Sequence, residues 1–88
     1  MLTEQFEVLN ELGLHARVAS RIVREVRKFN SSIIVKKEGK DYNLGNVTGV
    51  ITVNAKKGDI LDIEFNGDDE ESAANAVRGL FLNKFGEK

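Results

Sequence analysis

The chain has a single histidine, His15, and it stands two residues before an arginine in the run Gly13-Leu14-His15-Ala16-Arg17. The run lies where a glycine-containing turn meets the first helical periodicity of the sequence, so His15 is expected at a helix N-terminus. The opening amides of a helix have no internal partner and present a partial positive charge. A guanidinium from Arg17 can reach the same place, and its fork of donors matches phosphate oxygens. A helix N-terminus also disfavours imidazolium, which leaves a neutral ring with a nitrogen lone pair able to act as a nucleophile. A phosphoryl group on that ring would face free N–H groups and Arg17. These residues therefore point to a nucleophilic or an anion-binding histidine.

Other chemistries are excluded by residue type. There is no cysteine, hence no disulfide, thiolate nucleophile or cysteine-held metal. One histidine cannot build a His-rich zinc site or a mechanism that needs two imidazoles. Neither a paired-carboxylate motif nor a Gly-rich phosphate-binding loop is present. The sequence calls for no metal and no cofactor, and it does not make a self-contained hydrolase or kinase.

The elements that must position His15 follow from periodicity. Residues 3–9 alternate as a strand, with Phe6 and Val8 on one face and Gln5 and Glu7 on the other. From Ala16, the spacing of Ala19, Ile22, Val23 and Val26 predicts a helix that Phe29 continues to its end. Its opposite stripe is Arg17, Arg21, Arg24 and Lys28, where only Arg21–Glu25 offers an i, i+4 ion pair. Strands are expected at 32–38 and 40–44, joined by a two-residue turn at Glu38-Gly39. Asn46 reads as the N-cap of a short helix through about residue 52. A fourth strand, 60–66, places Leu61, Ile63 and Phe65 inward. Asp68 or Asp69 then caps a final helix that carries Glu70 and Glu71 in its first turn and buries Ala73, Val77, Leu80 and Phe81. The order β-α-β-β-α-β-α with alternating strands predicts an α/β (α+β) open-faced two-layer sandwich, one sheet face covered and the other solvated.

The 88 residues make one domain, spanning 1–88. The chain is 41% apolar and 31% charged, as in an ordinary globular domain. No apolar run approaches the ~20 residues of a membrane span, and the opening Met1-Leu2-Thr3-Glu4-Gln5 lacks the basic region of a secretory signal. Membrane insertion is not expected, and cytoplasmic residence is. The net charge of −1 hides a segregation: eight basic residues against two acidic ones between His15 and Lys40, then seven acidic and no basic ones from Asp59 to Glu71. Such a dipole steers the first half of the chain toward an acidic partner. A nucleic-acid role is disfavoured, because Phe6, Phe65 and Phe81 are accounted for as core and leave no stacking platform.

The run Gly13-Leu14-His15-Ala16-Arg17-Val18-Ala19 resembles the Gly-(Ile/Leu)-His-(Ala/Thr)-Arg-Pro-Ala signature of HPr, the histidine-containing phosphocarrier family of the phosphoenolpyruvate-dependent sugar phosphotransferase system. The resemblance extends over nearly the whole chain, through the order of elements, the Glu38-Gly39-Lys40 turn and the total length. It implies a four-stranded antiparallel sheet covered on one face by three helices. It further implies a phosphoryl group taken by His15 Nδ1 from phosphorylated enzyme I and handed to an enzyme IIA domain. Arg17 would pair with the phosphoryl oxygens while the Ala16 and Arg17 amides cap them. Ser20, Arg24, Arg27, Val47, Thr48 and Ile51 would meet the partner proteins in brief encounters by a monomeric carrier that is not itself an enzyme.

Four positions depart from the family pattern. Val18 replaces the usual proline and gives up its fixed φ, which is expected to loosen the site slightly. Leu12 stands where a small polar residue is common, and Thr48 where a large apolar one is. Asn46 occupies the position of the regulatory serine found in many Gram-positive relatives; it can cap a helix but has no hydroxyl to phosphorylate, so no regulatory serine is expected. These departures leave open a second reading, a divergent regulatory paralogue that signals phosphorylation state outside sugar transport.

Overall fold

The structure, a computed structural model, describes residues 1–87. Strand β1 (Leu2–Glu7) leads through a turn to helix α1 (Ala16–Val26), followed by β2 (Ser32–Lys37), β3 (Lys40–Asn43), α2 (Val47–Val53), β4 (Ile60–Asn66), α3 (Glu70–Leu82) and a 3₁₀ turn at Lys84–Gly86. The strands form one antiparallel sheet in the order β1-β4-β2-β3. The expected β-α-β-β-α-β-α arrangement is therefore the observed one, with the 3₁₀ turn added.

β4 sits inside the sheet because its alternation is the cleanest. Leu61, Ile63 and Phe65 are buried, and Asp62 lies exposed on the outer face, where it accepts from Gln5 of β1 at 3.0 Å. Across the register, Phe6 faces Leu61, and Val35 faces both Ile63 and Tyr42. Against this inner face the helices bring Val18, Ile22, Val50 and Val77, all fully buried. Burying side chains of this size contributes roughly 1.5–3 kcal/mol each. An aromatic chain runs through one end of the core: Phe6 meets Phe81 at 5.1 Å between ring centroids, and Phe81 meets Phe85 edge-on at 4.8 Å.

Several local expectations are corrected. β1 ends at Glu7 rather than at residue 9; Val8 is wholly buried, and its amide and carbonyl bond to Asp59 and Gly58 in the facing turn. α1 ends at Val26 rather than at Phe29, because the Lys28 and Phe29 amides bond three residues back, to Glu25 and Val26, and tighten the last turn. Arg21 and Glu25 do not pair: Glu25 binds Lys28 at 3.2 Å, and Arg21 turns to a backbone carbonyl near the far end of the chain. Asp69 holds the N-cap position of α3, yet its carboxylate accepts instead from the Asn30 and Ser31 amides at 2.8 and 2.9 Å and from the Ser31 hydroxyl. It closes the α1–β2 turn, where three donors converge, while Glu70 reaches back to the Gly67 amide at 3.3 Å. In α3, Ala74 is buried and Leu80 only partly so.

Other expectations stand as written. Glu38 and Gly39 both have positive φ, 53° and 76°, as a two-residue hairpin turn requires. Asn46 caps α2, its side-chain oxygen accepting from the Gly49 amide at 3.2 Å.

The turn before α1 constrains the site most. Gly13 has φ +68°, and a Cβ there would run into the Ala55 carbonyl oxygen and lie 2.9 Å from Lys56 Cα. Left-handed strain and a backbone collision therefore act together at this position. Gly13→Ala is expected to destabilise the fold by about 2–4 kcal/mol in denaturant unfolding. A loss below about 0.5 kcal/mol, the range of an ordinary surface substitution, would contradict this packing.

Candidate functional site

The chain leaves β1, turns at Asn10–Gly13 and enters α1 with His15 as the N-cap, in an extended conformation (φ −81°, ψ 177°). Two bonds fix the entry: the Leu14 amide donates to Ala55 at 3.0 Å, and the His15 amide to Gly13 at 3.0 Å. No side chain among the described residues caps this end. The opening amides, those of Ala16 and Arg17 among them, thus stand without an intrahelical acceptor next to the imidazole. Ala16 and Arg17 are exposed, His15 is 28% exposed, and Val18 behind them is fully buried. Position 18 is therefore a core position, where the valine side chain locks into the packing even without a proline ring.

A second carboxylate-bearing segment closes on this junction. Glu87, which follows the 3₁₀ turn, brings one carboxylate oxygen to 2.8 Å from His15 Nε2 and the other to 2.9 Å from Asn10 Nδ2. Asn10 is itself almost fully buried, and the same Nδ2 donates to the Gly13 carbonyl at 2.7 Å. One amide group thus ties the glycine turn, the carboxylate and the histidine together. Arg17, Arg21, Glu11, Leu12, Gly86 and Glu87 line an open cavity of about 340 Å³ beside them. Leu12 is 73% exposed on its rim, so this departure from the family pattern lies at the surface next to the histidine.

Sequence reasoning missed Asn10, Arg21 and Glu87 as members of the site. Asn10 read as a turn residue and Arg21 as part of a solvated stripe. Glu87 lies 72 residues from His15, and no local pattern announces the contact.

The residues expected to meet partners lie on two neighbouring helices. Ser20, Arg24 and Arg27 are exposed on and just after α1, and Val47, Thr48 and Ile51 are exposed on α2, which packs beside it. Arg27 also donates from Nε to the Gly45 carbonyl at 3.1 Å, tying the end of α1 to the loop before α2. Among the described residues, no cluster of three His, Asp or Glu side chains could hold a metal ion, and no helix is long and apolar enough to cross a membrane.

The Glu87 carboxyl is held below its ordinary range, chiefly by the hydrogen bond from Asn10 and then by His15 and Arg17, against a partial burial that pushes it up. A depressed folded value means that this contact's stabilisation is fully present above the ordinary carboxylate range and is lost as pH falls through the folded value. On acidification, the Glu87 carboxyl carbon and the Asn10 side-chain amide are expected to shift together in NMR spectra, at a pH below that of an unperturbed glutamate. Titration of Glu87 at or above the ordinary value, or without a response from Asn10, would contradict the contact.

Comparison with known proteins places this geometry in a family. A family model described as the PTS HPr component phosphorylation site matches residues 2–83. The phosphocarrier protein HPr of Xylella fastidiosa (strain Temecula1) is 34% identical over 87 residues, covering 99% of this chain and 98% of that protein. Among solved structures, HPr-C-His from Thermoanaerobacter tengcongensis superposes with a TM-score of 0.94 at 36% identity, covering 100% of this chain and 99% of that one. An HPr dimer from the same organism gives a TM-score of 0.77 at 37% identity, with 99% and 100% covered.

Proposed function

The chain belongs to the HPr family of phosphocarriers in the sugar phosphotransferase system, and from that premise we propose that His15 is the residue that receives and releases the phosphoryl group. The protein is a carrier and not an independent catalyst. The observation that supports His15 above all is its place as the N-cap of α1, partly exposed, with uncapped helix amides and Arg17 beside it.

The step itself is a displacement. The Nδ1 lone pair forms a bond to phosphorus as the bond to the donor atom breaks, and that electron pair stays with the donor. Phosphorylated enzyme I is the donor we assign. The Ala16 and Arg17 amides and the Arg17 guanidinium then face the phosphoryl oxygens, in a setting where charge-assisted hydrogen bonds are strong. The reverse displacement delivers the group to an enzyme IIA domain. Ser20, Arg24, Arg27, Val47, Thr48 and Ile51 make the docking surface in this reading, a cationic rim on α1 around a modest apolar patch on α2. Small interfaces of that kind suit fast exchange. We place the carrier in the cytoplasm and propose that it acts as a monomer, each partner in turn meeting the same face. Residue 46 takes no phosphate in this reading, because the Asn46 side chain is a helix cap without a hydroxyl.

Incubation with phosphoenolpyruvate and cognate enzyme I is expected to add one acid-labile phosphoryl group by intact mass, and His15→Ala to abolish it with the fold intact. A His15→Ala protein that still takes up the group would overturn the assignment. Arg17→Ala is expected to slow transfer about 10- to 100-fold, the worth of charge-assisted hydrogen bonds to the moving group. An unchanged rate would remove Arg17 from the step.

A further inference from the structure

We propose that Glu87 is a positioning residue for His15, its carboxylate keeping a proton on Nε2 through both transfers, and that Asn10 and Arg21 hold Glu87 in place. The proposal rests on the phosphocarrier reading and adds to it a proton inventory. An ionised carboxylate is an acceptor only, so the 2.8 Å contact makes Nε2 the donor and, in a neutral ring, leaves the lone pair on Nδ1. When phosphorus bonds to Nδ1, the ring becomes a phosphoimidazolium with its proton still on Nε2, and the Glu87 charge lies against the cation formed. When the phosphoryl group departs, the N–P electron pair returns to Nδ1 and the ring is a neutral imidazole again. If the Nε2 proton were lost in between, the leaving group would be an imidazolate, a far poorer one. A carboxylate at Nε2 thus lets the group arrive and leave with no proton moving in either direction.

The fold holds this carboxylate firmly. Lys84, Phe85 and Gly86 are three successive residues with positive φ, at 52°, 57° and 79°. Left-handed backbone is unfavourable at the two non-glycine residues, so surrounding contacts must impose it. Two do. The Phe85 ring is 1% exposed and packs edge-on against Phe81. The Arg21 guanidinium donates to the Phe85 carbonyl and lies so close to Gly86 that a Cβ there would collide with Arg21 Nη1. At the other side, Asn10 Oδ1 is buried without a hydrogen-bond partner among the described residues. A half-satisfied buried amide costs stability that an apolar side chain would not, and what this amide supplies is the pair of bonds from Nδ2 to Gly13 and Glu87.

Other charges near the pair are Arg17 and Arg21 from α1 and Glu11 from the turn before it, all on the same cavity. Of these charged groups, Glu87 is the one within hydrogen-bond reach of the ring, at 2.8 Å from Nε2.

The test uses the full-length ¹⁵N-labelled protein and Glu87→Gln, which keeps the size and the bond to Asn10 but removes the charge. Ring-nitrogen NMR of free His15 is expected to show the Nε2–H tautomer in the natural protein. In Glu87→Gln both tautomers should appear, since the new side chain can donate to Nε2. After phosphorylation, the pH at which the adduct becomes acid-labile is expected to fall by about one unit in Glu87→Gln, the scale of one nearby charge. Identical tautomers in the two free proteins, or an unmoved midpoint, would overturn the proposal. Failure of the natural protein to take up phosphoryl would instead sink the carrier reading, and the tautomer result on free His15 shows which of the two has failed.

Discussion

The site depends on one backbone hydrogen bond, from the Leu14 amide to the Ala55 carbonyl at 3.0 Å, which only a glycine at position 13 allows to form. That bond sets where α1 starts. Because α1 starts at Ala16, His15 falls at the N-cap and not inside the first turn, and its ring stands beside free amides. The same turn carries the Gly13 carbonyl that holds Asn10, and Asn10 in turn holds Glu87. Most of what distinguishes this histidine from an ordinary surface residue follows from that glycine turn.

Charge at the site is arranged in two halves. Arg17, Arg21 and Arg24 line the exposed side of α1, a field suited to an incoming dianion and to acidic partner surfaces. Glu87 is set into this field, its carboxylate against Nε2. It repels a phosphoryl group in general terms, but it lies on the ring edge that carries the proton, and the helix amides and Arg17 face the other nitrogen in the proposed step. Placing the negative charge there favours the cationic ring that exists only while the group is bound. Two of the acidic residues of 59–71 have local structural work away from the site: Asp69 closes the α1–β2 turn, and Glu70 bonds the Gly67 amide.

How much of this could be read from the residues in order follows the range of each interaction. The strands and helices were legible because the alternation of Leu61, Ile63 and Phe65 and the helical spacing of Ala19, Ile22, Val23 and Val26 are local signals. His15 was legible for the same reason, lying between a glycine turn and a helical run. Asp69 was misread because its partners, Asn30 and Ser31, lie nearly 40 residues away and outnumber the helix amides it could have capped. Arg21 looked paired to Glu25 by helical spacing, but a buried aromatic, Phe85, brings a carbonyl within its reach. Glu87 had no signal at all, since its contact with His15 exists only once Phe81 and Phe85 have packed the segment after α3 against α1.

In the proposed transfer, His15 offers Nδ1 to phosphorus while Nε2 stays turned toward Glu87. Long-range ¹H–¹⁵N NMR with ³¹P coupling on the phosphorylated, ¹⁵N-histidine-labelled protein reads both nitrogens at once. A phosphorus coupling confined to Nδ1, with a proton retained on Nε2 at neutral pH, is the predicted result. A phosphoryl group bonded to Nε2 would require Glu87 to leave the ring, and would contradict the account.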